Sequence, residues 1–298
     1  MHKAIRKTIT TLLFAGALAF AACTAPASNP TDDQTFAGNA ENHNQTDEEH
    51  NEMDNENLRI LDGTILELFR GHEVNLLQLQ PPTPGEELAV LHTNKGDITI
   101  RFFPEEAPKA VENFITHAKN GFYDGLVFHR VIPGFMIQGG CPLGTGTGGT
   151  SIWGEGFHTE PSINLRHFRG ALAMAHAGPG TIGSQFYIVQ NDQLDPGTTA
   201  SFQEILAHQD EVIGKFSDGT LVTLGEFQPA AELEHYIANG GTPHLDWLRN
   251  QQGGHPVFGH VIAGLDVVDA IANTPQGSGN RPLDDMIIES ISFITYGE

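Results

Sequence analysis

The 298-residue chain carries 37 acidic residues against 15 Lys and Arg, a formal charge of −22 with histidine neutral. A protein that lives on phosphate contacts needs a basic surface, so this balance excludes a general nucleic-acid binder. Hydrophobic residues make up 39% and charged residues 17%, the profile of a globular chain long enough for one large domain or two ordinary ones, and two cysteines outside any paired Cys/His spacing exclude a disulfide scaffold or a structural zinc module.

Residues 1–22 read as a secretory signal. Lys3, Arg6 and Lys7 precede an apolar run from Leu12 to Ala22, too short to cross a hydrocarbon core of about 30 Å as a helix. The junction Phe20-Ala21-Ala22-Cys23 resembles the bacterial lipobox, in which small residues precede a cysteine that is acylated and becomes the new N-terminus; Phe20 departs from the usual Leu. The expectation is a protein exported across a bacterial membrane and anchored there by lipid on Cys23, with plain secretion after Ala19-Phe20-Ala21 as the alternative. Losing the signal removes Lys3, Arg6 and Lys7 and no acidic residue, so the net charge falls from −22 to −25.

From Thr24 to Asn57 there is no Lys or Arg, nine acidic residues and almost no large apolar side chain. Such a segment cannot bury enough surface to offset its ordering entropy, so residues 23–57 are expected to be a self-repelling acidic linker. His43 and His50 lie among these carboxylates without fixed geometry, and solvated linker is the favoured reading over metal binding. Residues 58–85 form an N-terminal extension whose period is mixed; its stretch Leu58 to Leu79 has no legible place. Regular structure is expected after the breaker Pro81-Pro82-Thr83-Pro84-Gly85, in a domain over 86–298.

Leu88 to His92 and Asp97 to Phe102 flank Asn94-Lys95-Gly96, a hairpin signal. Ala110, Val111, Phe114, Ile115 and Ala118 recur at helical spacing, with Pro108 at the start and Gly121 past the end. Short β-prone runs follow at Leu126 to Ile132, Phe135 to Gln138, Gly170 to Ala175 and Gln185 to Val189. Leu265, Val268 and Ile271 mark a second helix, and Met286 to Ile294 a closing strand. Short strands with one helix near each end predict a mainly β, closed or nearly closed antiparallel barrel.

Several motifs fail on context. Gly144-Thr145-Gly146-Thr147-Gly148-Gly149 satisfies G-x-G-x-x-G, but no helix or βαβ unit follows, and Thr150 does not supply the lysine of a P-loop. The 15 histidines include no H-E-x-x-H, and Gly183-Ser184-Gln185 lacks the G-x-S-x-G of a nucleophile elbow. No metal or cofactor is expected.

The run Phe128-His129-Arg130-Val131-Ile132-Pro133-Gly134-Phe135-Met136-Ile137-Gln138-Gly139-Gly140 closely resembles the signature of the cyclophilin-type peptidyl-prolyl cis-trans isomerases. The likeness continues through Gly146 to Gly149, Ala173 to Pro179, Gly183 to Ile188 and Val257-Phe258-Gly259, over roughly 86–190 and 241–296. It implies an eight-stranded antiparallel β-barrel capped by two helices, acting on X-Pro bonds of proline-containing polypeptides such as unfolded or flexible exported proteins. Carried over position by position, Arg130 is the catalytic arginine and Gln138 the glutamine that orients it. Phe135, Met136, Tyr187, Leu245 and Phe258 would form the proline pocket. Ala175, His176, Ala177 and Gln185 would line the groove for preceding residues, with His255 at the rim. His129 reads as structural.

This chain departs from the pattern in four places. Tyr187 replaces the commoner Phe, and its hydroxyl needs solvent or a partner. His176 stands where Asn is usual. His244 stands where many eukaryotic members carry the Trp associated with tight cyclosporin binding, which implies weak cyclosporin binding here. An extra mixed segment lies at 191–240: Phe202, Ile205, Leu206 and Ile213 suggest a helix, Asp218-Gly219 a turn between β-prone runs, and Ala230 to Ala238 another helix. A smaller insertion covers Trp247 to Gly253. These insertions are expected either to extend the substrate rim or to pack as ornament. Cys141 reads as an incidental thiol. The competing function is a cyclophilin-fold binding or chaperone module, catalytically dispensable, that acts through its insertions.

Overall fold

Among the described residues, short apolar strands buried for much of their length, rather than any long helix, organise the fold. The computed structural model describes residues 58, 60, 61, 63, 65–246 and 254–298. The expected signal segment, Cys23, the acidic linker and the insertion Trp247 to Gly253 lie outside the described residues. Among the described residues, no helix is long and apolar enough to cross a membrane.

The hairpin joins β1 (Glu87–Thr93) to β2 (Gly96–Phe102). Helix α1 (Pro108–Lys119) follows, then β3 (Arg130–Ile132), β4 (Met136–Gly139), β5 (Ala171–Met174) and β6 (Phe186–Val189). The inserted segment supplies α2 (Pro196–Ala207), a separate hairpin of β7 (Val212–Lys215) and β8 (Leu221–Thr223), the single turn α3 (Leu224–Phe227) and α4 (Ala230–Asn239). The chain returns through β9 (Val257–Ala263), α5 (Leu265–Ala272) and β10 (Ile288–Thr295).

Eight strands form one antiparallel sheet in the order β10-β1-β2-β9-β5-β6-β4-β3. Its two edges meet where the Phe128 N–H donates to Met286 O (2.8 Å) and the Ile288 N–H to Leu126 O (2.8 Å), which closes the barrel. Inward-facing Leu91, Ile100, Ile137, Leu172, Phe186 and Ile188 fill it, and α1 and α5 cover it with Val111, Phe114, Val268 and Ile271. Helix α1 begins at Ala107, which offers no side-chain cap; the Glu160 carboxylate instead accepts the Lys109 and Ala110 N–H groups at 3.1 and 3.0 Å.

Regular packing begins well before the proline breaker, contrary to the sequence reading. Leu61, Leu66 and Phe69 of the extension share a small core with Phe216, Val222 and Phe227 of the insertion. Leu76 joins a second core with Phe168, Phe202, Leu233 and Tyr236. The two segments separately lack apolar surface enough for a core, which is why the extension by itself showed no clean period. Ile213 lies in β7, not in the helix its spacing suggested: α2 ends at Ala207, and two intervening turns reset the period. Arg166 and Glu232 form a fully buried ion pair (Nε to Oε2, 2.6 Å) between the barrel and α4. The Gln78 side chain grips both backbone groups of Arg166, accepting its N–H (2.7 Å) and donating to its carbonyl (2.9 Å).

Candidate active site

The barrel's outer face over β3, β4, β6 and β5 carries the candidate residues because inward positions alternate with outward ones. Register pairing sets Arg130 opposite Gln138, Gln138 opposite Tyr187, and Tyr187 opposite Ala173, one row across four strands. The next row on the same face is Ile132, Met136 and Val189. A polar row therefore runs beside an apolar one, with its cationic end on β3.

Arg130 Nη1 donates to Gln138 Oε1 (3.2 Å), Gln138 Nε2 donates to Gln185 Oε1 (3.0 Å), and Gln185 Nε2 donates to the carbonyls of Gly146 (3.0 Å) and Gly148 (2.7 Å). Each amide is thereby oriented by the next, and the loop that resembled a dinucleotide fingerprint anchors the chain. That loop needs Gly149, at φ +108°, where a Cβ would overlap Ser184 Oγ. Half-burial lowers the Arg130 pKa, yet a guanidinium stays charged at any physiological pH.

Met136, Tyr187, Leu245 and Val257 belong to one apolar cluster on this face, with Phe135 and Ala175 packed against it. Exposed His244 stacks on Phe135 at the edge (5.9 Å, 23°). His255 meets the Tyr187 ring edge-on at 5.4 Å, and its Nδ1 lies 3.2 Å from Met174 O. Burial, reinforced by the neighbouring histidines, pushes its pKa down to about 3, so His255 is neutral and its Nδ1–H donates to that carbonyl. His176 Nε2 lies 2.7 Å from Gly254 O and its ring rests 4.2 Å from that of His255, so the side chain that replaces Asn braces the rim. Exposed Ala177 and half-buried Ala175 continue the groove. His129 is buried, and burial with the charges of Arg130 and Arg281 lowers its pKa to about 4.

Phe258 is the correction among the expected pocket residues. It is fully buried inside the barrel, packed on Phe102 and Phe114, while Val257 takes the outward position beside Ala173 and Tyr187. A one-residue step along a strand exchanges faces, so assigning the motif without its pleat put the wrong neighbour in the pocket.

Sequence reasoning also missed the partner of Tyr187. Its hydroxyl does not reach solvent at the rim but lies 2.8 Å from Nε2 of buried His167. The need for a buried-hydroxyl partner was a legible signal; which of 15 histidines met it was not. Cys141 is buried beside the same glycine loop.

A directed guanidinium beside an apolar slot, with no nucleophile between them, suits a reaction in which a bond rotates and none breaks. A family model described as cyclophilin type peptidyl-prolyl cis-trans isomerase matches residues 88–293. A relative from Staphylococcus aureus strain USA300, named "Putative peptidyl-prolyl cis-trans isomerase", is 46% identical over 207 residues, 70% of this chain and 91% of that protein. A Staphylococcus haemolyticus relative of the same name is 44% identical over 218 residues, 73% of this chain and 96% of that one. The crystal structure of a Cryptosporidium parvum cyclophilin type peptidyl-prolyl cis-trans isomerase superimposes with a TM-score of 0.50 at 28% identity, covering 71% of this chain and 98% of that one. The barrel, its outward row and these relatives together establish that the chain belongs to the cyclophilin-type peptidyl-prolyl cis-trans isomerases.

Proposed function

We propose that this isomerase acts on proline-containing segments of exported proteins at the outer face of a bacterial membrane, with Arg130 as its catalytic residue and Gln138 as the group that orients it. The observation that carries the chemistry is the aligned chain Arg130–Gln138–Gln185 along the edge of the Met136, Tyr187 and Leu245 cluster. A peptide bond resists rotation through its partial double-bond character, with a barrier of about 20 kcal/mol. As the X-Pro bond twists, the proline nitrogen pyramidalises and gains a lone pair, and an N–H of Arg130 donates to it. That hydrogen bond exists only in the twisted state, so it lowers the barrier without tightening the ground state. The proline ring occupies the apolar cluster, and preceding residues lie along Ala175, His176 and Ala177.

The location rests on Lys3, Arg6 and Lys7, the apolar run and Ala21-Ala22-Cys23, with the acidic residues of 24–57 spacing the barrel from the surface. Replacing Cys23 by Ser in the full-length chain is expected to abolish fatty-acid labelling and move the protein from the membrane to the soluble fraction. Continued labelling would overturn the anchor. The folding role is tested by adding the protein to a denatured substrate whose slow phase, lasting tens of seconds, is limited by proline isomerisation. That phase shortens if the role is correct and is unchanged if it is not.

Cyclosporin is expected to inhibit weakly, because exposed His244 stands at the rim where a larger indole would supply apolar contact. His244→Trp is expected to lower the inhibition constant about ten-fold, the return on roughly 1.4 kcal/mol of added burial; an unchanged constant would remove His244 as the cause.

A further inference from the structure

The insertion reaches the pocket through a buried line of hydrogen bonds. Tyr236 of α4 is fully buried, and its hydroxyl donates to Asp246 Oδ2 at 2.7 Å. Asp246 Oδ1 accepts the His167 backbone N–H at 2.7 Å and lies 3.0 Å from His167 Nδ1. A carboxylate facing Nδ1 places the ring proton there, which leaves Nε2 as an acceptor. The Tyr187 hydroxyl, 2.8 Å away, then donates to Nε2. Burial, with the Asp246 charge added, holds the Tyr187 hydroxyl pKa well above its ordinary value, so this donor keeps its proton. The His167 and Tyr187 rings are nearly parallel, 13° apart. The return of the insertion to the barrel is equally close: a Cβ on Gly241 would overlap both His167 O and the Tyr236 ring.

A phenylalanine in the pocket could swing its far end and shift with the packing around it. A tyrosine tethered at its far end by a fixed imidazole cannot. We propose that Tyr236 on the inserted helix is a positioning residue for the proline pocket, acting through Asp246 and His167 to hold the Tyr187 ring in place. The insertion thus sets the affinity of the site for proline segments without touching them. This rests on the reading of Tyr187 as a wall of the proline pocket.

The test is a double-mutant cycle on the whole folded domain, with Tyr236→Phe made in the wild-type and in the Tyr187→Phe backgrounds. Both the exchange rate of a proline tetrapeptide and its Kd by NMR titration are measured. The expected result is that Tyr236→Phe raises KM and Kd about five-fold with kcat nearly unchanged in the wild-type background, and does nothing further once Tyr187 is Phe. Equal effects in both backgrounds, or none in either, overturn the proposal. The 15N signals of His167 provide a second measurement: Tyr236→Phe is expected to shift its Nε2 resonance, and an unmoved resonance also overturns the proposal. Absence of accelerated exchange by the wild type would count against the isomerase reading instead, since the Kd cycle reads the coupling without turnover.

Discussion

Arg130→Ala is expected to lower kcat/KM for X-Pro exchange by about 10- to 100-fold while the barrel stays folded. A hydrogen bond from a charged donor contributes roughly 1.5–3 kcal/mol, and each 1.4 kcal/mol is about a decade of rate. The residual acceleration comes from holding the proline in the apolar cluster. Arg130 sits at the end of the amide chain and donates to Gln138, so its loss leaves Gln138 Oε1 without that donor at a half-buried position and leaves the strand pairing in place. Lysine is a poor substitute, because a point charge on a flexible stem lacks the planar fork that Gln138 aligns. The measurement is NMR exchange in a short proline peptide, with circular dichroism as the check on folding. Wild-type kcat/KM in Arg130→Ala would move the chemistry away from this residue and restore the binding-module reading.

Glu232→Ala is expected to destabilise the protein by about 3–5 kcal/mol, the range for removing one partner of a buried ion pair. Both side chains of the pair are wholly inaccessible, and Arg166 also donates through Nη1 to the carbonyls of Ile163 and Leu165. Those neutral acceptors cannot replace the carboxylate, so the guanidinium is left charged and under-compensated in the interior. Glu232→Gln keeps the shape and one acceptor and is expected to lose less. A urea-unfolding free energy of Glu232→Ala within about 0.5 kcal/mol of wild type, at constant slope, would show that α4 is not clamped to the barrel through this pair. Arg166 adjoins His167, so the same variant is expected to loosen the tether on Tyr187.

The barrel was legible in the sequence because its strands are short β-prone runs and its turns carry glycine at the expected places. The hairpin at Asn94-Lys95, the amphipathic face of α1 and the short strands from Arg130 to Val189 all follow local rules. The hydrogen-bonded set Arg130, Gln138 and Gln185 was legible through resemblance, since no local rule of spacing marks an arginine as catalytic. What stayed hidden depends on contacts between distant segments. Leu58 to Leu79 showed no period because its apolar residues face two small cores rather than one flat surface. His167, Tyr236 and Asp246 come from three separate stretches and share no spacing. Phe258 was misplaced because the choice of face depends on the register of β9, which includes an irregularity opposite Leu172 and Ala173.

The shared cores of the extension and the insertion set an order of events. Leu61 and Leu66 leave the ribosome early, yet their partners Phe216, Val222 and Phe227 follow about 150 residues later, after most of the barrel strands. Until then the extension is an apolar segment with nowhere to dock. The barrel is completed later still, because β9, which joins β2 to β5, and β10, which closes it against the β3 edge, both lie beyond the insertion. In chain order this annex of extension and insertion therefore has all its partners before the barrel does, and the pocket cluster gains Val257 only with β9.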